Sequence, residues 1–355
     1  MNTGSSPLVS ILTPVYNGAE YLAECIESVL AQTYPNWDYT IVNNCSTDES
    51  LSIAQNYAAR DPRIRVVSND RFLRIIENHN HTIRQISPES KYCKFVFGDD
   101  WLHPSCVQEM VRIAEQQPSV GLVGAYAMDG RSVILEGPLY PCPRISGREV
   151  CRHTLLGGGY MFGTMTSLLV RSDLIRKRTA FFNEENLHAD LEACFDLLRE
   201  SDFGFVHQVL TFSRPREASN GAFAKDFDSL PLGYLVSFLK YGPAFLEEAE
   251  YRKRWKALHR MYHRMLAKNI LRIRPRQFWK YHQDTLSACG IGIDRFLLAI
   301  SVIAELASQI SHPLKAIERA QCWWSRALDR ISRANGHPER RRLPRSRDPK
   351  TAGDL

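Results

Sequence analysis

The chain has 355 residues, 44% of them hydrophobic, and a mean hydropathy of −0.29. That is a soluble composition with enough apolar content for one large or two modest domains, and it excludes a small disulfide-stapled scaffold. The net charge of +6 is uneven: between Tyr251 and Gly290 eleven Lys/Arg face one acid, Asp284, so that window carries +10 and the remainder −4. A basic region so local indicates a surface with a task rather than general solubility. The nine cysteines are scattered without a CxxC pair, as expected for a reducing cytoplasm with neither a disulfide framework nor a zinc ribbon. MNTGSSPLVSILTPV lacks the basic start of a signal peptide, and FLLAI (Phe296 to Ile300) is too short to span a bilayer.

The first 130 residues alternate between two periods. LVSILTPV (Leu8 to Val15) reads as a buried strand, and Ala19 to Gln32 as a helix with Leu22, Cys25, Ile26 and Val29 on one face. Trp37 to Asn44 is a second strand. Ser46 to Ala59 is a helix entered through STDE. Ile64 to Asn69 is a third strand, Ile75 to Ile86 a helix, and YCKFVF a fourth strand. Pro104 opens the next helix, where its missing N–H costs nothing, and Val120 to Ala127 is a fifth strand. Strand and helix in strict alternation predict a doubly wound, mostly parallel α/β sheet flanked by helices. Beyond it, Gly157 to Arg171 reads as a loop and a strand, and His188 to Ser201 as an amphipathic helix. Ser213 to Asp226 reads as a polar loop, and about Leu230 to Arg333 as helix throughout. The domain boundaries expected from these shifts are 1–225 for the sheet domain, 226–335 for a basic helical region and 336–355 for a disordered basic tail.

In such sheets ligands bind beyond the carboxyl ends of the strands. Three of these ends are polar: Tyr16-Asn17-Gly18, Asn43-Asn44 and Asp99-Asp100. No GxGxxG follows the first strand and no GxxxxGK[ST] occurs, so the two common phosphate loops are absent from the sequence. Adjacent aspartates repel unless a cation lies between them, and such a pair can hold Mg²⁺ or Mn²⁺, which grips a diphosphate through its oxygens. His79 and His81 read as helix-surface or rim residues. His259 and His263 stand at i, i+4, but Arg260 replaces the glutamate of a HExxH zinc site.

The opening SILTPVYNGAEYLAECIESVLAQTYPNWDYTIVNNCSTDES, then FGDDWLHP, then FNEENLHADLEACFDLL resemble, in order and spacing, a family 2 glycosyltransferase with the GT-A fold. The resemblance runs from about Val9 to Arg216. It implies that Pro14 and Tyr16 line the base pocket of a nucleotide-sugar, that Asn44 meets the base, and that Arg74 and Asn80 contact the donor. It implies that Asp99 and Asp100 hold the ribose and a divalent metal, that Asp190 is the general base, and that Arg214 or Arg216 offsets the diphosphate charge. The reaction implied is a single in-line displacement that inverts the anomeric carbon, from a nucleotide-diphosphate sugar to a glycan or lipid-linked acceptor, in polysaccharide or glycolipid synthesis.

Three positions depart from the family pattern. Phe97 stands where the first aspartate of D-x-D-D is usual, which leaves fewer protein ligands for a metal. V-N-N-C-S replaces V-D-D-G-S, and Ala189 replaces the acid before Asp190. These departures keep a non-catalytic nucleotide-sugar-binding protein in view. A nucleotidyltransferase is the other alternative, although PVYNGAEYL is not its usual Gly-rich basic loop. In the basic region, cations interleave with Trp255, Tyr262, Met265, Leu271, Phe278 and Trp279, a pattern that suits an anionic membrane surface. The expected location is therefore cytoplasmic and peripheral at the inner face of the membrane. No nucleic-acid module is recognised.

Overall fold

The computed structural model describes residues 6–214 and 226–311. Its core is one mixed sheet. The strands are β1 (Val9–Val15), β2 (Trp37–Asn43), β3 (Ile64–Ser68), β4 (Tyr92–Phe95), β5 (Trp101–Leu102), β6 (Val120–Asp129), β7 (Ser132–Val133), β8 (Arg144–Ile145), β9 (Leu168–Arg171) and β10 (Asp202–Ser213). The main order is β3-β2-β1-β4-β9-β6-β10-β5. The long ladders β1–β2, β2–β3, β1–β4 and β6–β10 are parallel, while β9 runs antiparallel between β4 and β6. Helices α1 (Ala19–Leu30), α2 (Ser50–Ala58), α3 (Ile75–Ile83), α4 (Cys106–Gln116), α5 (Gly147–Leu155), α6 (Ser172–Arg176) and α7 (Ala189–Leu197) flank it. The expected α/β class holds.

β1 is buried along its whole length, as a strand covered on both faces must be. Leu22, Cys25, Ile26 and Val29 of α1 are buried, so the i, i+3, i+4, i+7 stripe seals the helix to the sheet. Polar residues inside this layer are paired: the Thr13 and Tyr39 hydroxyls lie 2.9 Å apart, and Ser10 N–H donates to Ser90 Oγ at 2.8 Å.

Several boundaries moved for physical reasons. The second helix begins at Ser50, not Ser46, because the intervening polar residues bind the first turn instead. Asn17 N–H donates to Ser46 Oγ (3.1 Å), Gly18 N–H to Ser50 Oγ (2.8 Å) and Ala19 N–H to Asp48 Oδ2 (3.0 Å), while Asn17 Oδ1 accepts from Thr47 N–H (2.8 Å). Pro104 does not open α4 directly; Ser105 is the N-cap and the helix starts at Cys106. The short strand β9 falls between β4 and β6, so these two are not neighbours as simple alternation implied.

Among the described residues, one compact unit contains those up to Tyr262 together with Arg274–Ile293, and a second contains His263–Ile273 with those from Asp294 on. The helices Ser229–Phe245 and Arg276–Ala288 thus belong to the unit of the sheet, past the boundary drawn at 225/226 from sequence. Among the described residues no helix is long and apolar enough to cross a membrane.

Cys45 has φ of 57°, the left-handed region that costs a residue with a Cβ about 1–2 kcal/mol. Glycine carries no such cost, although its larger unfolded freedom offsets part of the gain. Cys45→Gly is expected to raise stability by up to about 1 kcal/mol, read as a higher urea midpoint at unchanged slope. A lower midpoint would mean that the Cys45 Sγ contact to the Asn69 carbonyl, 3.3 Å, outweighs the strain.

Candidate active site

The order 3-2-1-4 reverses direction between β1 and β4, and a crevice at such a switch point is where ligands enter doubly wound sheets. The β1–β4 ladder stops at Leu12–Phe95, and Val96 N–H donates to Leu12 O at 2.9 Å. Beyond it Pro14 has no N–H to offer, so the two strands part there. Gly98 sits against Val15 and Pro14: a Cβ on it would lie 3.7 Å from Val15 Cγ2 and 3.8 Å from Pro14 O. The PVYNG turn and the GDD turn therefore form the two lips of one crevice.

Tyr16, on the first lip, is 51% exposed and meets the equally exposed Phe72 edge to face, with ring centroids 4.9 Å apart. Two exposed aromatics at a strand-end crevice form a stacking surface for a flat ring, and neither serves the core. Phe72 was missed from sequence because it lies in a segment without periodicity. Pro14 is buried beneath.

On the second lip Asp100 is buried and its Oδ2 accepts from Thr166 Oγ1 at 2.5 Å. Thr166 Oγ1 also accepts from Phe97 N–H at 3.1 Å, so this hydroxyl fixes the whole turn. Asp99 is half-buried beside it. Under the turn lies Lys94, with no solvent exposure; its amino group donates to the carbonyls of Thr166 and Leu168, the latter at 3.1 Å. Burial lowers the Lys94 pKa, and the nearby Cys106 and Asp100 oppose the shift. The Phe97 ring joins an aromatic cluster with His79 at 5.2 Å and Phe95 at 5.5 Å, to which Phe182 also belongs. His79 is thus an inward-facing residue, not a rim one, and burial pushes its pKa down to about 4, so the ring is neutral at pH 7.

Asp190 stands in the first turn of α7, where its Oδ1 accepts from Leu191 N–H at 2.9 Å. Burial raises its pKa, against the lowering effects of that hydrogen bond and of His188. Tyr160 and Tyr234 are both close enough that, after burial, the Asp190 charge raises their own phenol pKa values. The segment from Tyr160 to Thr166 therefore reaches both carboxylate stations, with Tyr160 near Asp190 and Thr166 on Asp100. The helix Ser229–Phe245 supplies Tyr234 and also holds α7. Lys240 Nζ pairs with Glu192 Oε1 at 2.6 Å and Ser229 Oγ meets His188 Nε2 at 3.2 Å. Nothing in the local sequence linked Tyr234 or Lys240 to the site.

The other expected residues divide. Arg214, at the end of β10, stacks on Tyr21 (4.4 Å) and Trp101 (4.7 Å), next to Asp100 in sequence, and pairs with Glu24. Arg216 lies outside the described residues. Asn44 is buried, and its amide clamps the segment after β3: Nδ2 donates to Leu73 O (2.9 Å), while Oδ1 accepts from Leu73 N–H (2.9 Å) and Asn69 Nδ2 (2.8 Å). Asn80 is likewise buried; Oδ1 accepts from Phe182 N–H (2.8 Å), and Nδ2 donates to Phe182 O (2.8 Å) and Glu184 Oε1 (3.0 Å). Both asparagines shape the crevice through backbone contacts, because an amide satisfies a donor and an acceptor at once. Arg74 is exposed at the N-cap of α3.

The donor set fits a hard divalent cation. Asp99 and Asp100 offer carboxylate oxygens only, as Mg²⁺ and Mn²⁺ prefer. Among the described residues no cluster of three or more His, Cys, Asp or Glu is arranged to hold a metal, so two protein ligands would be completed by a diphosphate and water. His263 Nε2 accepts from Asp294 N–H at 3.0 Å, which ties it to the start of the helix Arg295–Ser311. A cleft of about 820 Å³ opens by Ser119, Arg171, Arg199 and Asp202, at the opposite ends of β6 and β10. Its acids are occupied structurally, Asp202 with Arg144 at 2.6 Å, and it holds none of the strand-end carboxylates.

Residues 10–161 match the family model described as glycosyl transferase family 2. EpsE of Bacillus subtilis (strain 168), named as a glycosyltransferase, is 28% identical over 228 residues, 60% of this chain and 80% of that protein. TuaG of the same strain, named for a glycosyltransferase of teichuronic acid biosynthesis, is 27% identical over 156 residues, 44% and 61% of the two chains. The fold resembles Staphylococcus aureus TarS 1-349 in complex with UDP-GlcNAc, with a TM-score of 0.59 at 16% identity over 80% of each chain. It also resembles the mannosyltransferase PcManGT from Pyrobaculum calidifontis in complex with GDP-Man and Mn²⁺, with a TM-score of 0.50 at 13% identity over 90% of this chain and 85% of that one.

Asn44→Asp, which introduces the acid usual in the family pattern, is expected to lower stability by about 1–3 kcal/mol, because Leu73 O loses its donor. Urea unfolding tests it, and an unchanged midpoint would show that the clamp does not need the amide N–H. The strand-end crevice, the match over residues 10–161 and the shared fold agree, and that part of the chain resembles glycosyl transferase family 2.

Proposed function

We propose that the chain transfers a sugar from a nucleoside-diphosphate donor to a hydroxyl of a glycan or lipid-linked acceptor, with inversion, in the synthesis of a cell-surface polysaccharide or glycolipid. The observation that carries this reading is the bridge from Tyr160 to Thr166, which reaches two carboxylate stations of different character. Asp100 is held by a hydroxyl on the crevice lip, and Asp190 is raised in pKa near two tyrosines. Paired carboxylates in contrasting environments are suited to separate tasks.

The base of the donor stacks against Tyr16 and Phe72. Asp99 meets the ribose and, with Asp100, would hold Mg²⁺ or Mn²⁺; when bound, the cation supplies charge neutralisation to the diphosphate. Arg214 offers its guanidinium to the same charge. Asp190 takes the proton from the acceptor hydroxyl, which attacks the anomeric carbon from the face opposite the leaving diphosphate. The relatives support this assignment: TuaG is named for teichuronic acid biosynthesis, and the TarS and PcManGT structures hold UDP-GlcNAc and GDP-Man. Donor binding without transfer is the second reading, favoured by Phe97 filling an aromatic cluster where a further carboxylate is usual.

Calorimetry with UDP, GDP and dTDP, with and without Mn²⁺, tests the donor site. Metal-dependent binding of one nucleotide, weakened at least about tenfold in Asp100→Ala and in the milder Asp99→Asn, is expected. Absence of binding under every condition would remove the donor assignment.

Asp190→Asn separates the two readings. Transfer is expected to fall by about 10²–10⁴-fold with donor binding retained. Equal donor turnover by variant and wild type would exclude Asp190 as the base. The base must be ionised, so transfer is full above the Asp190 pKa and declines as pH falls through it. Because burial raises that pKa, the decline begins at higher pH than for an exposed aspartate. The acid limb of kcat/KM against pH measures it.

A further inference from the structure

In the sequence the apolar positions of the basic stretch looked suited to a membrane, but the structure directs them elsewhere. Tyr262 and Phe278 are buried in the core, and Trp255 stacks on His259 with centroids 4.8 Å apart. Four exposed apolar side chains lie instead on the helix Arg295–Ser311. Phe296 (77% exposed), Ile300 (47%), Ile303 (66%) and Leu306 (43%) follow i, i+4, i+7, i+10 spacing and form one stripe facing solvent. Glu305, the one acid of this helix, is instead buried at 9% exposure. A helix that keeps its one carboxylate inside and leaves four large apolar side chains exposed departs from the pattern that water selects.

The helix is firmly set. Asp294 Oδ1 accepts from Phe296 N–H (3.0 Å) and Leu297 N–H (2.9 Å), and Asp294 N–H donates to His263 Nε2. The same compact unit exposes Arg264, Lys268, Arg272 and Arg295, and its Ile273 is 89% exposed. The sequence from His312 to Leu355 adds eleven Lys/Arg against five acids, with Trp323 and Trp324. Apolar side chains on a helix within a strongly cationic segment are complementary to a surface that is apolar below and anionic above.

We propose that the Phe296–Ile300–Ile303–Leu306 stripe seats this protein on an anionic lipid bilayer, with the surrounding arginines and lysines meeting the headgroups. Contact of this kind is peripheral: the side chains enter the headgroup and acyl boundary and the helix does not cross. The proposal goes beyond the sugar-transfer reading and is tested without donor or acceptor, so either can fail while the other stands.

The test is co-sedimentation of the full chain with vesicles of phosphatidylcholine alone or mixed with phosphatidylglycerol. Binding to the mixed vesicles, weakened by salt, is expected. The triple variant Phe296→Ser, Ile300→Ser, Ile303→Ser should lose at least about tenfold of it with an unchanged melting temperature. Arg264→Glu with Lys268→Glu should lower the preference for the anionic lipid. No binding to anionic vesicles, or binding indifferent to the triple variant, overturns the proposal. A melting temperature lowered by the triple variant, without loss of vesicle binding, would show that the folded chain itself covers the stripe. A concentration-dependent dimer in light scattering that the variant abolishes, with no vesicle binding, would assign the stripe to a second copy; either result also overturns it.

Discussion

Burying the Lys94 amino group beneath the strand end costs desolvation, and the carbonyls of Thr166 and Leu168 offset it by accepting its hydrogen bonds. This draws the segment before β9 onto β4 and delivers the Thr166 hydroxyl to Asp100 at 2.5 Å. The same segment begins at Tyr160, in the field of Asp190. One buried amino group thus sets the relation between the crevice lip and the segment that reaches the proposed base.

The crevice is a consequence of topology, lined by side chains with separate structural duties. Pro14 ends the β1–β4 pairing, and Asn44 and Asn80 lock neighbouring segments through their amides. Tyr16 and Phe72 are left exposed for a planar ligand. The helix Ser229–Phe245 completes this site: Lys240 neutralises buried Glu192 one helical position beyond Leu191, and Tyr234 stands in the field of Asp190. The Glu192 pKa is depressed because hydrogen bonds from Lys240 and nearby asparagines outweigh burial.

Much of the sheet was legible because parallel strands and amphipathic helices follow from local periodicity, and β1 and α1 appear within a residue or two of where their apolar patterns placed them. The start of α2 was misplaced because Ser46, Thr47 and Asp48 look like cap residues but bind a turn some thirty residues earlier. The insertion of β9 was invisible because strand order depends on contacts between segments far apart in the chain.

By itself the sequence determined the class of the fold, the polar strand ends, the aspartate pair and the resemblance carried by PVYNG, GDD and HADLEACFDLL, since these rest on residue type and spacing. Only the tertiary structure decided what each side chain does there. It turned Asn44 and Asn80 into clamps, Phe97 and His79 into an aromatic cluster, and Lys94 into a buried tie, and it left Phe296 and Ile303 facing water. Those roles depend on burial and on partners far away in the chain, and neither can be read from the order of residues alone.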